Sequence, residues 1–193
     1  MRRSIRNSVV IGAAAIAAAG TLGTASAWAD QADPEPSGTS AKPPAAKVAG
    51  VPGVHYLKPR HAPGVCITVH GARGKGAKVN QYTCLGKKNQ KWEITPVRGG
   101  WYTLRAQHRG NLCLDIPNRY RKGTQAIVWS CNGRINQVFW IVCYGNQSNC
   151  EIRPARYSER TKCLSIKGGS NRENAPLILW KCNKTRDQRF AIR

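Results

Sequence analysis

The sequence predicts an all-β domain built from three copies of one unit, and three observations carry that prediction. Cysteines recur in pairs, with Cys66 and Cys84 separated by 18 residues, Cys113 and Cys131 by 18, and Cys163 and Cys182 by 19. Six residues after each second cysteine stands a glutamine (Gln90, Gln137, Gln188), and two residues further an aromatic ring (Trp92, Phe139, Phe190). Another aromatic, Tyr82, Trp129 or Trp180, stands two residues before each second cysteine. A fixed period of this kind marks an internal repeat, in which each unit buries its apolar face against its neighbours. No stretch after the N-terminal segment sustains the 3.6-residue apolar period of a substantial helix.

Taken in chain order, the first segment is expected to be cleaved off and to take no part in the fold. MRRSIR is a basic start, VVIGAAAIAAAGTLGTA is an alanine-rich apolar run, and ASA followed by AWA offers small-x-small cleavage sites. That is the layout of a secretory signal peptide, assigned to residues 1–29. Residues 30–53 are rich in Pro, Ala and Gly with little to bury, as expected of a linker. The folded part is assigned to 54–193, and its location is expected to be extracellular, where cysteines oxidise.

Within 54–193 the copies run over about 54–112, 113–162 and 163–193. CITV, CLDI and CLSI alternate like strands, as do AIVWSC and LILWKC, and turns such as HGARGKG, PNRYRKG and KGGSNRE separate them. WYTLR (101–105) precedes Cys113 and NCEIRP (149–154) precedes Cys163, but the third copy ends at FAIR without such a strand after it. VHYLKPR (54–60) stands before Cys66 in the equivalent place, so residues 54–60 are expected to close the ring on the last strand.

The three Gln-x-aromatic units, QKW (90–92), QVF (137–139) and QRF (188–190), resemble those of the ricin B-type (R-type) lectin domain, a β-trefoil. The resemblance covers all of 54–193 and implies twelve strands, six in a barrel and six capping it as hairpins. Eight cysteines allow 105 pairings. The repeats favour Cys66–Cys84, Cys113–Cys131 and Cys163–Cys182, which the resemblance also suggests; Cys143 and Cys150 are left to clip a hairpin. With every cysteine paired, no metal site or other cofactor is expected.

The resemblance implies a sugar pocket made by an acid after the first cysteine, an aromatic before the second, and an Asn–Gln pair. Such a pocket needs a carboxylate to accept hydroxyl hydrogen bonds and an aromatic face for the apolar side of a sugar ring. The middle copy fills every position, with Asp115, Trp129, Asn136 and Gln137. The first copy has Thr68, Tyr82, Asn89 and Gln90, and a degenerate site is expected there. The third has Ser165, Trp180, Asp187 and Gln188, where Asp187 is placed to compensate for the missing acid in a weaker second site. Competing readings make the glutamines structural, Asp115 the partner of Arg119 or Arg121, and Trp129 a core residue. Trp140 is a candidate for an exposed contact or for packing under the Cys143–Cys150 hairpin.

Charge is the strongest compositional signal. The chain carries 31 Lys+Arg against 9 Asp+Glu, and residues 54–193 alone carry a net +20. Such a surface attracts anionic polymers, so cell-wall polymer, acidic polysaccharide or nucleic acid is the alternative partner to a galactose-like or xylan-type glycan. The basic residues are spread over all three copies with few exposed aromatics among them, which disfavours specific nucleic-acid recognition. No catalytic residue is assigned: a glycosidase needs two carboxyl groups at the pocket, and only Asp115 is placed there. A disulfide-stapled protease inhibitor is the third class consistent with the fold. The protein is expected to be a monomer.

Overall fold

The computed structural model describes residues 51–117, 120–156 and 161–193. The expected signal peptide and residues 30–50 of the expected linker lie outside the described residues, and so does Arg119, one proposed partner of Asp115. The described residues form twelve strands, short 3-10 turns and no α-helix.

The leading strand is β1 (Gly53–Pro59), and the first copy continues with β2 (Val65–Val69), β3 (Val79–Thr83) and β4 (Lys91–Val97). The middle copy contributes β5 (Trp101–Ala106), β6 (Leu112–Asp115), β7 (Ile127–Ser130) and β8 (Phe139–Cys143). After β9 (Cys150–Pro154), the third copy supplies β10 (Lys162–Ile166), β11 (Leu177–Lys181) and β12 (Phe190–Ile192).

Six of these strands close into a barrel, in the order β4–β1–β12–β9–β8–β5, with β4–β5 pairing joining the ends. Closure leaves no unpaired strand edge in the ring. Period-two patterning makes these segments barrel strands: Trp92 and Ile94 on β4, Leu104 and Ala106 on β5, and Phe139 and Ile141 on β8 point inward. Trp92, Phe139 and Phe190 occupy equivalent places in the three copies and are buried to 1% exposure or less. Trp92 also donates from Nε1 to the Ile67 carbonyl at 2.9 Å. Phenylalanine at the other two positions keeps the burial and forgoes that bond.

Ring closure follows the expectation for residues 54–60. Leu57 lies opposite Ile192 and Pro59 opposite Phe190. Beyond them the Tyr56 N–H donates to the Arg193 carbonyl at 2.6 Å, and the Arg193 N–H to the Tyr56 carbonyl at 3.0 Å. Val51, upstream of the expected domain start, is buried in the same core.

The other six strands form the hairpins β2–β3, β6–β7 and β10–β11. Residues one and three places after each first cysteine (Ile67 and Val69, Leu114 and Ile116, Leu164 and Ile166) are fully buried beneath them. Loops tie each hairpin to the next copy. The Gly76 N–H donates to the Val128 carbonyl and the Gly123 N–H to the Leu179 carbonyl, both at 2.7 Å, and the Asn174 N–H to the Gln81 carbonyl at 2.9 Å. Gln81 secures the last contact, donating from Nε2 to the carbonyls of Ser170 (2.6 Å) and Arg172 (2.8 Å).

All four disulfides pair as expected: Cys66–Cys84, Cys113–Cys131, Cys143–Cys150 and Cys163–Cys182. Each restricts the unfolded chain and is worth roughly 2–4 kcal/mol on typical values. Near the Cys143–Cys150 clip lies a buried ionic cluster. The Glu151 carboxylate meets Arg153 at 2.5 Å and Arg189 at 3.0 Å, and accepts from the Tyr144 hydroxyl at 3.2 Å.

Candidate functional site

Hairpin register builds the site in each copy. Cys113 pairs with Trp129 and Asp115 with Ile127 across β6–β7. Because directly opposed residues share a face and residues two apart share a side, Trp129 and Asp115 are diagonal neighbours on the outer face. The same register recurs as Cys66↔Tyr82 with Thr68↔Asn80, and as Cys163↔Trp180 with Ser165↔Ile178.

In the middle copy the structure joins the expected residues. Asp115 is only 3% exposed, and its Oδ2 accepts from Asn136 Nδ2 at 2.8 Å and from Gln137 Nε2 at 2.9 Å. Among the described residues Oδ1 receives no hydrogen bond and no arginine pairs with the carboxylate, so Arg121 is not its partner. Burial pushes the Asp115 carboxyl above its ordinary range, and the hydrogen bonds from Gln137 and Asn136 offset that only in part. Trp129 is 37% exposed, which removes it from the core.

The third copy has the same interaction with its chemistry exchanged between elements. Here Ser165 on the strand donates from Oγ to Asp187 Oδ2 at 2.5 Å. Asp187 stands on the 3-10 turn Arg186–Gln188, the position that Asn136 holds in the middle copy. A carboxylate is therefore present, reached from the other side of the pocket.

The first copy has no acid at its pocket positions. Thr68 Oγ1 donates to the Cys66 carbonyl at 2.8 Å and accepts from Gln90 Nε2 at 3.1 Å, which commits its proton and one of its two lone pairs internally. Asn89 donates to the Val69 carbonyl at 2.9 Å. A cavity of about 480 Å³ nevertheless opens here, lined among others by Thr68, His70, Tyr82, Lys87, Asn89 and Asn174. In the middle copy, the counterparts of its Gly71–Ala72 wall are residues 118–119, outside the described residues.

The family model for the ricin-type beta-trefoil lectin domain matches residues 54–190. The chain belongs to this family. No curated protein matches the sequence. Among solved structures, the designed threefold-symmetric protein ThreeFoil is 27% identical with a TM-score of 0.67, covering 72% of this chain and 97% of that one. The Macrolepiota procera ricin B-like lectin, solved with lactose, is 20% identical with a TM-score of 0.61, covering 72% and 93%. An exo-beta-1,3-galactanase from Clostridium thermocellum is 19% identical with a TM-score of 0.64; the alignment covers 72% of this chain and 30% of the enzyme.

The glutamines of this ricin-type domain are buried staples, as one reading of the sequence holds. Gln90 accepts from the Leu85 N–H at 2.7 Å and donates to the Thr83 carbonyl at 2.8 Å. Gln137 makes the same pair with Asn132 and Ser130, both at 2.9 Å, and Gln188 with Asn183 and Lys181, both at 2.8 Å. Gln137 alone adds a bond to a carboxylate, so it holds Asp115 in place from beneath.

Sequence reasoning missed the stacking of cations on rings, although exposed aromatics are few among the described residues, Trp129 and Tyr144. Lys75 lies over Trp129 with Nζ 4.2 Å from the ring centroid, and Lys122 over Trp180 at 4.0 Å. Arg189 stacks on Tyr144 at 4.1 Å and Arg153 faces Trp140 at 5.8 Å, which assigns Trp140 a packing partner on β9. The first two contacts join neighbouring copies, and local patterns do not reveal them.

Proposed function

We propose that this domain is a secreted, non-catalytic carbohydrate-binding module with its main pocket in the middle copy. The observation that carries the reading is the state of Asp115. A carboxylate held on one oxygen by two amides, with the other oxygen free of hydrogen bonds among the described residues, beside a partly exposed indole, is built to accept hydrogen bonds from a hydroxylated ring. Asp115, Trp129 and Asn136 make the contacts, and Gln137 fixes the carboxylate. Trp180 and Asp187 form a weaker second pocket.

The family and its relatives support this reading, since lectins of this fold have been solved with lactose and with GalNAc. Galactose-like or xylan-type glycans are the corresponding candidates. A shallow pocket binds a monosaccharide weakly, and two pockets on one repeating polymer add strength through effective concentration. The test is a glycan array with wild type and Asp115→Ala: the variant remains folded and loses sugar retention. Unchanged retention contradicts the pocket.

The net +20 of residues 54–193 favours a second reading, attachment to an anionic polymer through the whole surface. Salt separates the two. Polyanion attachment falls steeply with ionic strength, whereas a neutral sugar at Asp115 is insensitive to it.

A further inference from the structure

The geometry points to an acidic glycan as the ligand, because the indoles of the middle and third pockets each carry an ammonium supplied by the preceding copy. The favoured unit is a hydroxylated ring that bears, or adjoins, a carboxylate or sulfate. This inference rests on the sugar-binding reading and narrows it to a substrate class.

The two lysines are positioned by one repeated device. Lys75 and Lys122 each stand nine residues after the first cysteine of their copy and directly before a glycine. Gly76 and Gly123 have φ of +84° and +87°, a left-handed conformation that glycine adopts freely. Their N–H groups donate, at 2.7 Å in both cases, to the carbonyl one residue before the next copy's tryptophan. The backbone comes so close that a Cβ on Gly76 would stand 3.7 Å from the Trp129 ring, and one on Gly123 4.0 Å from the Trp180 ring. That hook delivers the lysine stem to the indole in both copies.

The third loop is one residue longer and departs in charge. Asn174 takes the hook position with φ of +62°, and the residue before it is Glu173, which accepts from the Thr83 hydroxyl. Thus the pockets that own an acid, Asp115 or Asp187, receive a lysine, and the pocket that owns only Thr68 receives a glutamate. Two pockets therefore combine a carboxylate held by hydrogen bonds with an exposed ammonium lying on an indole.

Neither lysine forms an ion pair among the described residues, so each holds its charge on an exposed stem with only the ring beneath it. A neutral sugar that settles on the indole displaces the ammonium and leaves it unmatched. An acidic sugar displaces it onto its own anion, replacing a weak cation–π contact with a charge-assisted hydrogen bond. A diffuse positive field makes no such distinction by position, since any lysine contributes to it equally.

The test titrates the full chain with matched neutral and acidic probes: galactose and galacturonate, glucose and glucuronate, arabinoxylan and glucuronoxylan oligosaccharides. Four proteins are compared at fixed physiological salt: wild type, Lys75→Gln/Lys122→Gln, Asp115→Ala, and a control, Lys58→Gln/Arg98→Gln, that removes the same charge from β1 and from the turn after β4. Melting curves verify the fold of each. Wild type is expected to bind the acidic member of at least one pair about tenfold more tightly, the scale of one added charge-assisted hydrogen bond. The lysine variant brings the pair to near parity with neutral binding kept, and the control retains the preference. A preference that survives in the lysine variant, or falls equally in the control, overturns the inference while leaving the Asp115 pocket standing. Acidic binding undiminished in Asp115→Ala, or no binding of any probe, overturns both.

Discussion

Ser165 and Asp187 share a 2.5 Å hydrogen bond in which the strand supplies the hydroxyl and the 3-10 turn supplies the carboxylate. In the middle copy the strand supplies the carboxylate, Asp115, and the turn supplies the donor, Asn136. One hydrogen-bonding position thus keeps a negative charge in two copies by different residues. Ser165→Asp combined with Asp187→Asn rebuilds the middle arrangement in the third copy. The expected outcome is stronger retention on an immobilised glycan polymer through a second full pocket, with monovalent sugar affinity at the middle copy unchanged. Equal polymer retention by wild type and variant counts against the equivalence.

Asp115 predicts opposite pH trends for binding and stability. Burial raises its carboxyl above the ordinary 3.8, against the hydrogen bonds from Gln137 and Asn136. Binding needs the ionised form, so sugar affinity is lost as the pH falls through a value above that ordinary one. For stability the sign reverses: a raised folded value means the protonated form fits the fold better. Its stabilising contribution is complete below the unfolded value and is lost as pH rises through the folded value. Asp115→Asn, which keeps an acceptor for the two amides, is therefore expected to melt higher than wild type at neutral pH and level with it in strong acid. Melting curves between pH 3 and 7 check this, and a lower melting temperature at neutral pH contradicts it.

The staple glutamines separate stability from binding. Gln90→Ala, Gln137→Ala and Gln188→Ala each leave a buried backbone donor and acceptor without partners, at a cost of roughly 1–3 kcal/mol per group. Denaturant titration is expected to find comparable losses in all three. Only Gln137→Ala also weakens binding at the main pocket, because only Gln137 holds a carboxylate.

The Glu151 cluster bears on folding alone. Glu151→Ala strands Arg153 and Arg189 without their carboxylate, and losing one partner of a buried ion pair typically costs about 3–5 kcal/mol. Chemical denaturation measures the loss. Glycan affinity of the protein that remains folded is expected to be unchanged.

The parts of the molecule legible in the sequence are those set by short spacings. Cysteine, glutamine and ring positions report a repeat directly, and alternation in CITV, CLDI and CLSI states which side faces the core and which carries residue 68, 115 or 165. Asp115 and Asn136 come together because one hairpin and one short turn join them. Long-range relations were hidden: Lys75 serves Trp129, and Glu173 reaches Thr83, each across a boundary between copies. A reading that assigns every pocket to its own copy misses them, although the Lys-Gly pair repeated nine residues after the first cysteine of two copies was a usable signal. The Glu151 cluster was hidden for the same reason, since Arg189 reaches it from the end of the chain.

The most direct test is isothermal titration of a glycan retained on the array into wild type and Asp115→Asn at neutral pH and high salt. The account predicts saturable binding to wild type and none to the variant, whose fold is at least as stable. Equal binding by both proteins would contradict it.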